Sequence, residues 1–291
     1  MNRIVLRPLA KVNLGLDVVG KREDGYHEVR MVMQTLNLHD HMVMEKTDDG
    51  LVTMKTNLPY LPVNEKNLVV QAIQLIREEF HIEEGVRVNL KKVIPIAGGM
   101  AGGSSDAAAA LFGMNLLFQL HLKQKELMER GLKLGADVPY CVMRGTALAE
   151  GIGEKLTPIS NKLKCGVLVV KPSFSVSTKK VYEEFDEIKD INHPDIDRII
   201  EAIRENDLQK MCYYMGNNLE LVTQRQHPMI GQIKEEMMAE GALQSMMSGS
   251  GPTVFGIFNT VQEAETAGEV FRHRRGIGQV YVSSFYHVKG R

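Results

Sequence analysis

The feature that most constrains this chain is a glycine-rich stretch, IPIAGGMAGGSSDAAAAL, at residues 94–111. It follows GVRVNLKKVIP, whose alternating apolar residues predict a strand, and it leads into an alanine- and leucine-rich segment of high helix propensity. We therefore predict a helix over residues 107–120. Backbone N–H groups without side chains around them, next to a helix N-terminus, suit a phosphate group. A tight turn or close packing would also explain the glycines, so the stretch alone leaves both explanations open.

The stretch differs from the two best-known phosphate-binding motifs. Residues 98–105 nearly match G-x-x-x-x-G-K-[ST], but Ser104 stands where that motif has lysine. A G-x-G-x-x-G pattern is absent from the stretch, which also comes too late in the sequence to open a dinucleotide-binding unit. The positive charge that pairs with a phosphate bound here must therefore come from another part of the chain.

Composition excludes several classes of protein. The chain has 291 residues, 44% of them hydrophobic, which is enough for two domains with cores of their own. Its 35 Lys and Arg against 36 Asp and Glu give a formal net charge of -1, so we expect no nucleic-acid and no membrane partner. The charged N-terminus and the lack of a long apolar run predict neither a signal peptide nor a membrane span. The three cysteines are an odd number without close spacing in the sequence, which favours a cytoplasmic location, and no Cys/His pattern predicts a metal site.

The order of predicted elements favours an α+β fold. A β-rich beginning is followed by a helix over EKNLVVQAIQLIREEF, with Asn64 as its predicted cap. Helices and strands then alternate without a regular βαβ repeat, which argues against a doubly wound sheet. The polar region Pro158–Lys164 separates two parts, so we place the domains at residues 1–160 and 161–291.

Two charged residues suit phosphate chemistry, although each has an ordinary structural explanation. Lys11 in PLAKVNLGLDV could be a solvated surface group, as most lysines near a terminus are. Asp137 in LGADVPY could be a helix N-cap or a turn residue. If Asp137 faces the phosphate loop, its carboxylate could accept a hydroxyl proton or align the hydroxyl with a γ-phosphoryl group. Spacing does not choose between these roles.

Two further motifs border predicted turns. In REDGYHEV, Asp24 and Gly25 predict a hairpin turn, and Tyr26 and His27 follow as a loop edge or as a platform for a base. In MMSGSGPTVFGIF, residues 246–258, glycines precede an apolar strand. They form either a second backbone-rich edge of the same site or an ordinary β-turn.

These motifs, taken together and in their order, resemble those of the GHMP kinase superfamily over nearly the whole chain. AKVNL, DGYHEV and GADVPY narrow the resemblance to the branch that phosphorylates 4-diphosphocytidyl-2-C-methyl-D-erythritol in the non-mevalonate isoprenoid pathway. The resemblance implies an α+β, two-domain GHMP kinase fold with ATP and substrate in the cleft. Its N-terminal domain would be ribosomal-S5-domain-2-like, and its smaller C-terminal domain a ferredoxin-like α/β sandwich.

The resemblance also implies a role for each candidate residue. Lys11 and Asp137 would be catalytic: Asp137 orients or deprotonates the substrate 2-hydroxyl, and Lys11 holds that carboxylate and stabilises the developing charge. The residues implied to bind ATP are Asn67, Lys92, Pro95, Ile96, Ala97, Gly98, Gly99, Met100, Ala101, Gly102, Gly103, Ser104 and Ser105. Those implied to bind the cytidine substrate are Asn13, Tyr26, His27 and Tyr182.

Cofactors, partners and alternatives complete these expectations. Mg²⁺ would arrive with ATP, touched by Ser104 or Ser105, without a dedicated protein metal site. We expect small-molecule partners only and a monomer or weak homodimer. Two alternatives stay open: another small-molecule GHMP kinase, for homoserine, mevalonate or a sugar, and a non-catalytic nucleotide-binding regulator with this fold.

Overall fold

The computed structural model describes residues 2–288 and confirms the α+β class. Within these residues the strands are β1 (Arg3–Leu6), β2 (Leu9–Lys21), β3 (His27–His39), β4 (His41–Thr47), β5 (Val52–Thr56), β6 (Gly85–Lys91), β7 (Thr146–Glu150), β8 (Lys155–Ile159), β9 (Gly166–Pro172), β10 (Gly216–Asn217), β11 (Gln244–Met247), β12 (Val254–Phe258) and β13 (Ile277–Ser284). The helices are α1 (Leu68–Glu79), α2 (Gly102–Leu117), α3 (Gln124–Leu132), α4 (Val138–Met143), α5 (Thr178–Phe185), α6 (Ile196–Glu205), α7 (Leu208–Tyr214), α8 (Glu220–Gln226), α9 (Met229–Ala239) and α10 (Val261–Arg272). None of these helices is both long and apolar enough to cross a membrane.

The chain forms two compact units that alternate along the sequence. The first contains the described residues up to Ala10, together with His39–Ile94 and Ala101–Arg144. The second contains Lys11–Leu38, Pro95–Met100 and the described residues from Gly145 onward. The predicted boundary between residues 160 and 161 stays a prediction, and the ends of those predicted domains, residue 1 and residues 289–291, lie outside the described residues.

The first unit is a sheet in the order β1-β4-β6-β5 with α1 and α2 packed on it, and α3 and α4 pack against α2. β4 is antiparallel to β1 and β6, and β5 is parallel to β6. Small residues let α2 approach this sheet closely: a Cβ at Gly113 would lie 2.4 Å from the Met44 sulfur and 2.9 Å from Leu6. The glycine loop is therefore followed by a helix that is fixed to the sheet along its buried side.

The second unit contains two sheets, ordered β10-β2-β3-β7-β8 and β11-β12-β9-β13. Every residue of β9 is buried, because α9 and α10 also pack on its sheet. On β2, a Cβ at Gly15 would lie 2.5 Å from Ile199 and 2.8 Å from Ile196, so α6 lies directly against the strand that carries Lys11 and Asn13.

Two details of the predicted elements are wrong. α2 begins at Gly102 rather than at residue 107, so part of the predicted loop is helical. The cap of α1 is Asn67, whose side chain accepts the Val69 N–H at 2.9 Å, and not Asn64. Residues 138–143 form α4, which starts with Val-Pro; proline suits the first turn of a helix because the N–H it lacks has no partner there.

Candidate active site

The predicted phosphate loop has an unusual backbone. Ala97, Gly99 and Ala101 have left-handed φ angles of 49°, 73° and 52°. Left-handed residues other than glycine are uncommon, and they occur most often where the structure needs a particular local geometry. Alternation of left-handed with other residues turns successive N–H groups toward one concave side, which is the geometry of an anion-binding nest. The loop therefore has the alternating backbone that is typical of such nests.

The first half of the loop, in the second unit, is clamped by the MSGSGPT motif. The Ser248 hydroxyl donates to the Gly99 carbonyl at 2.9 Å. A Cβ at Gly99 would lie 2.0 Å from the Ser248 carbonyl oxygen, and one at Gly98 would lie 2.6 Å from Thr253 Oγ1. The Lys11 N–H donates to the Met100 carbonyl at 3.2 Å. The second glycine motif therefore lies against the loop, and side chains at positions 98 and 99 would displace it.

The second half of the loop, in the first unit, becomes the start of α2. The N-cap residue, Ala101, has no side chain that could cap the helix, so the first-turn N–H groups donate no hydrogen bond to an N-cap side chain. The Ser105 hydroxyl is buried and donates to the Leu9 carbonyl at 2.7 Å, whereas Ser104 is only partly buried. An anion here would meet uncapped N–H groups and the positive end of the α2 dipole.

Lys92, a predicted ATP-binding residue, is at the centre of a buried ionic cluster. Its ammonium lies 2.5 Å from Asp40 Oδ2 and 2.6 Å from Asp106 Oδ2. Asp40 Oδ1 also accepts the N–H groups of Val93 and of Ile94, the latter at 2.8 Å. All three charged side chains are almost completely buried. The cluster therefore holds together the end of β6, the residues that lead into the loop and the first turns of α2.

The protonation of this cluster follows from two carboxylates that share one ammonium. Burial lowers the pKa of Lys92, but the charges of Asp106 and Asp40 outweigh it and leave that pKa above its ordinary value. Burial raises the pKa of Asp106 to about 8; Lys92 opposes this shift, and the neighbouring Asp40 adds to it. Asp106 Oδ1 has no hydrogen-bond partner among the described residues. Two buried carboxylates that share one ammonium therefore favour retention of a proton on Asp106.

Lys11 is buried, so the explanation as a solvated surface lysine is wrong. Its side chain is 5% exposed on β2, and its ammonium donates to Asn13 Oδ1 at 2.7 Å. The Asn13 amide in turn contacts the Met31 sulfur at 3.3 Å. Within residues 2–288, Lys11 forms no ion pair. A buried cation whose partner is a neutral amide gains from an incoming anion, since burial without a counter-charge is costly.

Asp137 occupies the N-cap position of α4, as one of the two sequence explanations predicts, but its carboxylate accepts no capping hydrogen bond. Among the described residues, its backbone carbonyl accepts the Cys141 N–H at 3.1 Å, and its carboxylate forms no hydrogen bond. The residue is partly buried. The carboxylate is thus available for a ligand.

The predicted cytidine-binding residues lie in the second unit, and two of them are in contact. The rings of His27 and Tyr182 have centroids 4.7 Å apart and planes tilted by 39°. His27 Nε2 lies 2.6 Å from Asp186 Oδ1, and Asp186 Oδ2 accepts from the Lys21 ammonium at 2.6 Å. Tyr26, at 61% exposed, projects into solvent. These rings offer stacking surfaces and a ring nitrogen to a base.

Asn67, a predicted ATP-binding residue, also stabilises the local structure. Besides capping α1, its side chain donates to the Pro62 carbonyl at 2.7 Å. Both ends of the amide are therefore satisfied by the protein, and its predicted contact with adenine stays a prediction. In residues 2–288, no cluster of His, Cys, Asp and Glu side chains has the composition and spacing to hold a metal ion.

Comparison with known proteins identifies the family. The family model described as GHMP kinases N terminal domain matches residues 67–145, and the one described as GHMP kinases C terminal matches residues 188–275. A curated relative from Lachnospira eligens, named 4-diphosphocytidyl-2-C-methyl-D-erythritol kinase, is 52% identical over 98% of this chain and 99% of its own length. The chain belongs to the GHMP kinases. The resemblance drawn from the motifs is thereby confirmed.

Solved GHMP kinases agree with the fold. A crystal structure of 4-(cytidine 5'-diphospho)-2C-methyl-D-erythritol kinase matches with a TM-score of 0.83 at 30% identity, over 98% of this chain and 100% of that one. A crystal structure of homoserine kinase from Cytophaga hutchinsonii matches with a TM-score of 0.79 at 20% identity, over 98% and 95% of the two chains. At that identity the second match shows the GHMP kinase fold alone.

Sequence reasoning missed four residues that hold the candidate site together: Asp40, Asp106, Asp186 and Ser248. Asp106 pairs with Lys92, 14 residues before it. Asp186 lies four residues after Tyr182, a spacing that places both on one helix face, so this signal was present. Asp40 gives no local signal, because its partners are 52 and more residues away.

Proposed function

We propose that this GHMP kinase transfers the γ-phosphoryl group of ATP to the 2-hydroxyl of 4-diphosphocytidyl-2-C-methyl-D-erythritol, a step of the non-mevalonate route to isoprenoids. The observation that carries the proposal is the 52% identity to a relative of that name over nearly the full length of both chains. The retained lysine and aspartate, at positions 11 and 137, argue against a non-catalytic regulator with this fold.

ATP binds through the loop from Pro95 to Ser105. Support comes from its left-handed backbone, from the clamp of Gly99 by Ser248 and from the uncapped start of α2. The backbone N–H groups act on the phosphates, so the lysine of other phosphate loops is not needed for the cradle. Asn67 and Lys92 border the adenine in this proposal.

Mg²⁺ enters with ATP. Hard cations prefer oxygen ligands and retain several waters, so a hydroxyl and the phosphates suffice. Ser104 fits this role better than Ser105, because the Ser105 hydroxyl already donates to the Leu9 carbonyl. When bound, the ion supplies charge neutralisation on the phosphate oxygens.

Catalysis rests on alignment and on charge stabilisation, because phosphoryl transfer leaves little covalent work to the protein. Asp137 orients the 2-hydroxyl or accepts its proton, and its uncapped carboxylate supports that role. Lys11 stabilises the negative charge that develops on the transferring group. Its buried ammonium, bound only to Asn13 among its described neighbours, supports that role.

The cytidine part of the substrate contacts Tyr26, His27 and Tyr182, with Asn13 beside the catalytic lysine. The contact between the His27 and Tyr182 rings supports a common site for these two. Aromatic faces stack on a base, and a ring nitrogen reads its edge.

Domain division, cellular location and assembly are part of the same proposal. The two family-model matches, at residues 67–145 and 188–275, lie on either side of the proposed boundary at 160 and 161. All three cysteines are buried, and Cys165 and Cys212 are free thiols in the described chain, which supports a reducing cytoplasm. We propose a monomer or weak homodimer.

A panel of acceptors tests the substrate. Purified protein with ATP and Mg²⁺ is given 4-diphosphocytidyl-2-C-methyl-D-erythritol, mevalonate or homoserine, and ADP formation is followed in a coupled assay. We expect kcat/KM to be highest for the cytidine substrate. A higher value for mevalonate or homoserine would assign the chain to another GHMP kinase activity, and binding of ATP without turnover of any acceptor would favour the regulator.

Variants of the two catalytic residues test the mechanism. Asp137→Asn should lower kcat by about 10²–10⁴-fold, the usual contribution of a positioned acid or base, while ATP binding persists. Lys11→Ala should lower kcat similarly and weaken substrate binding as well. The control is Asp48→Asn, an exposed aspartate of the same unit as Asp137, which should leave kcat unchanged. An Asp137→Asn enzyme with the kcat of the control would remove Asp137 from catalysis.

A further inference from the structure

We infer that Asp186 fixes the tautomer of His27 and thereby makes the site select cytosine over uracil. The inference rests on the proposed function, which places His27 beside the base of the substrate. Asp186 does not touch the base in this account. It is a positioning residue that acts through the imidazole ring.

Neighbouring side chains contact the His27 ring at one edge and on one face. His27 is the first residue of β3, and its side chain is only 10% exposed. Oδ1 of Asp186, the residue after α5, lies 2.6 Å from His27 Nε2. Tyr182 of α5 covers the imidazole ring at a centroid distance of 4.7 Å. Lys21 holds the other oxygen of Asp186 at 2.6 Å. The carboxylate therefore cannot rotate away without loss of an ion pair.

The charge of Asp186 determines which ring nitrogen carries the proton. Burial opposes ionisation of Asp186, but its hydrogen bonds with Lys21 and His27 outweigh burial and keep its pKa below the ordinary value. An ionised carboxylate only accepts hydrogen bonds, so His27 must donate from Nε2. In the neutral ring Nδ1 then presents a lone pair, and it has no hydrogen-bond partner among the described residues.

A lone pair at Nδ1 distinguishes the two pyrimidines of nucleotides. Cytosine carries an amino group at C4, which donates, whereas uracil carries a carbonyl oxygen there, which accepts. The amino group can complete a hydrogen bond to Nδ1. The uracil oxygen would place two acceptors against each other and leave both unpaired in a partly buried site. The arrangement therefore favours the cytidine form of the substrate and rejects the uridine form.

Kinetics of Asp186→Asn against two substrates provide the test. Asparagine can donate its amide N–H to Nε2, which releases the proton to Nδ1. We expect kcat/KM for the cytidine substrate to fall about tenfold through KM, since loss of one hydrogen bond in a site is worth about that factor. The ratio of kcat/KM for the cytidine substrate to that for its uridine analogue should fall at least as far. The kcat and the KM for ATP should stay unchanged.

A spectroscopic readout separates this role from a loss of structure. In the ¹⁵N NMR spectrum of the free wild-type protein, His27 should show a protonated Nε2 and an unprotonated Nδ1, with the signals assigned by comparison with His27→Gln. Asp186→Asn should shift the ring toward the other tautomer. Glu187→Gln makes the same charge change one residue away, on an exposed side chain, and should leave both the tautomer and the substrate ratio unchanged.

The outcomes distinguish the inference from the proposed function. If the wild-type enzyme phosphorylates the cytidine substrate and Asp186→Asn keeps the wild-type selectivity, the inference is overturned and the proposed function is not. An unchanged His27 tautomer in Asp186→Asn does the same. A wild-type enzyme inactive on the cytidine substrate overturns the proposed function together with the inference.

Discussion

Removal of the Asp40 carboxylate should destabilise the fold strongly. Asp40 is fully buried, and its carboxylate serves the Lys92 ammonium at 2.5 Å, the Ile94 N–H at 2.8 Å and the Val93 N–H. Asp40→Ala leaves two backbone donors without an acceptor, at about 1–3 kcal/mol each. Lys92 keeps Asp106 as a partner at 2.6 Å, so its charge stays compensated and the lost ion pair adds little to that sum. We therefore expect the free energy of unfolding to fall by about 2–6 kcal/mol, a large part of the total stability of an ordinary domain.

Urea unfolding followed by circular dichroism measures this loss as a shift of the midpoint at an unchanged slope. The control is Glu45→Ala on the adjacent strand β4. Glu45 pairs with Arg3 at 2.9 Å, but the two side chains are 34% and 60% exposed, so the change should cost no more than about 1 kcal/mol. The reasoning is refuted if Asp40→Ala costs no more than Glu45→Ala.

Three further predictions concern the same sites. The folded pKa of Asp106, about 8 against an ordinary 3.8, makes the native state bind more protons than the unfolded state. The unfolding free energy of the wild-type protein should therefore fall as the pH rises from about 4 to 8. Asp106→Asn should abolish this fall, which denaturation across that range measures. Gly99→Ala should raise the KM for ATP at least about tenfold, because its Cβ would lie 2.0 Å from the Ser248 carbonyl oxygen. The control is Gly20→Ala, which should leave the KM for ATP unchanged because no atom lies within 4 Å of its Cβ. Equal KM values for the two variants would contradict the clamp of the loop by Ser248. Tyr26→Ala, at a position 61% exposed, should change stability by less than about 0.5 kcal/mol yet weaken cytidine-substrate binding by about 1–3 kcal/mol, with ATP binding as the contrast.

Local patterns predicted the elements whose signals lie within a few residues. The alternation in GVRVNLK predicted β6, and the apolar spacing in VVQAIQLI predicted α1. The glycines and serines predicted the loop itself. The start of α2, the helix that follows, was predicted too far along the chain, because the helix propensity of Gly102 and Gly103 is poor. Close packing explains why glycine stands at this first helical position: a Cβ at Gly102 would lie 3.1 Å from Ile94.

Long-range features could not be predicted from the sequence. The burial of Lys11 depends on its position in β2, within a sheet that only the folded chain assembles. The ion pairs of Lys92 join Asp40 and Asp106, which are 52 and 14 residues away. Neither arrangement has a periodicity to detect. The resemblance to GHMP kinases supplied roles for Lys11 and Lys92 that spacing could not, but not the residues that hold them.

The central claim is tested most directly by identification of the phosphorylated position. The enzyme is incubated with ATP, Mg²⁺ and 4-diphosphocytidyl-2-C-methyl-D-erythritol, and the product is examined by proton-coupled ³¹P NMR. The carbon that carries the 2-hydroxyl also carries the methyl group and has no hydrogen. Our account predicts a new phosphomonoester singlet, equimolar with ADP, and an intact diphosphate. A triplet or doublet, from a phosphate on a carbon that bears hydrogen, or no new phosphomonoester at all, would contradict it.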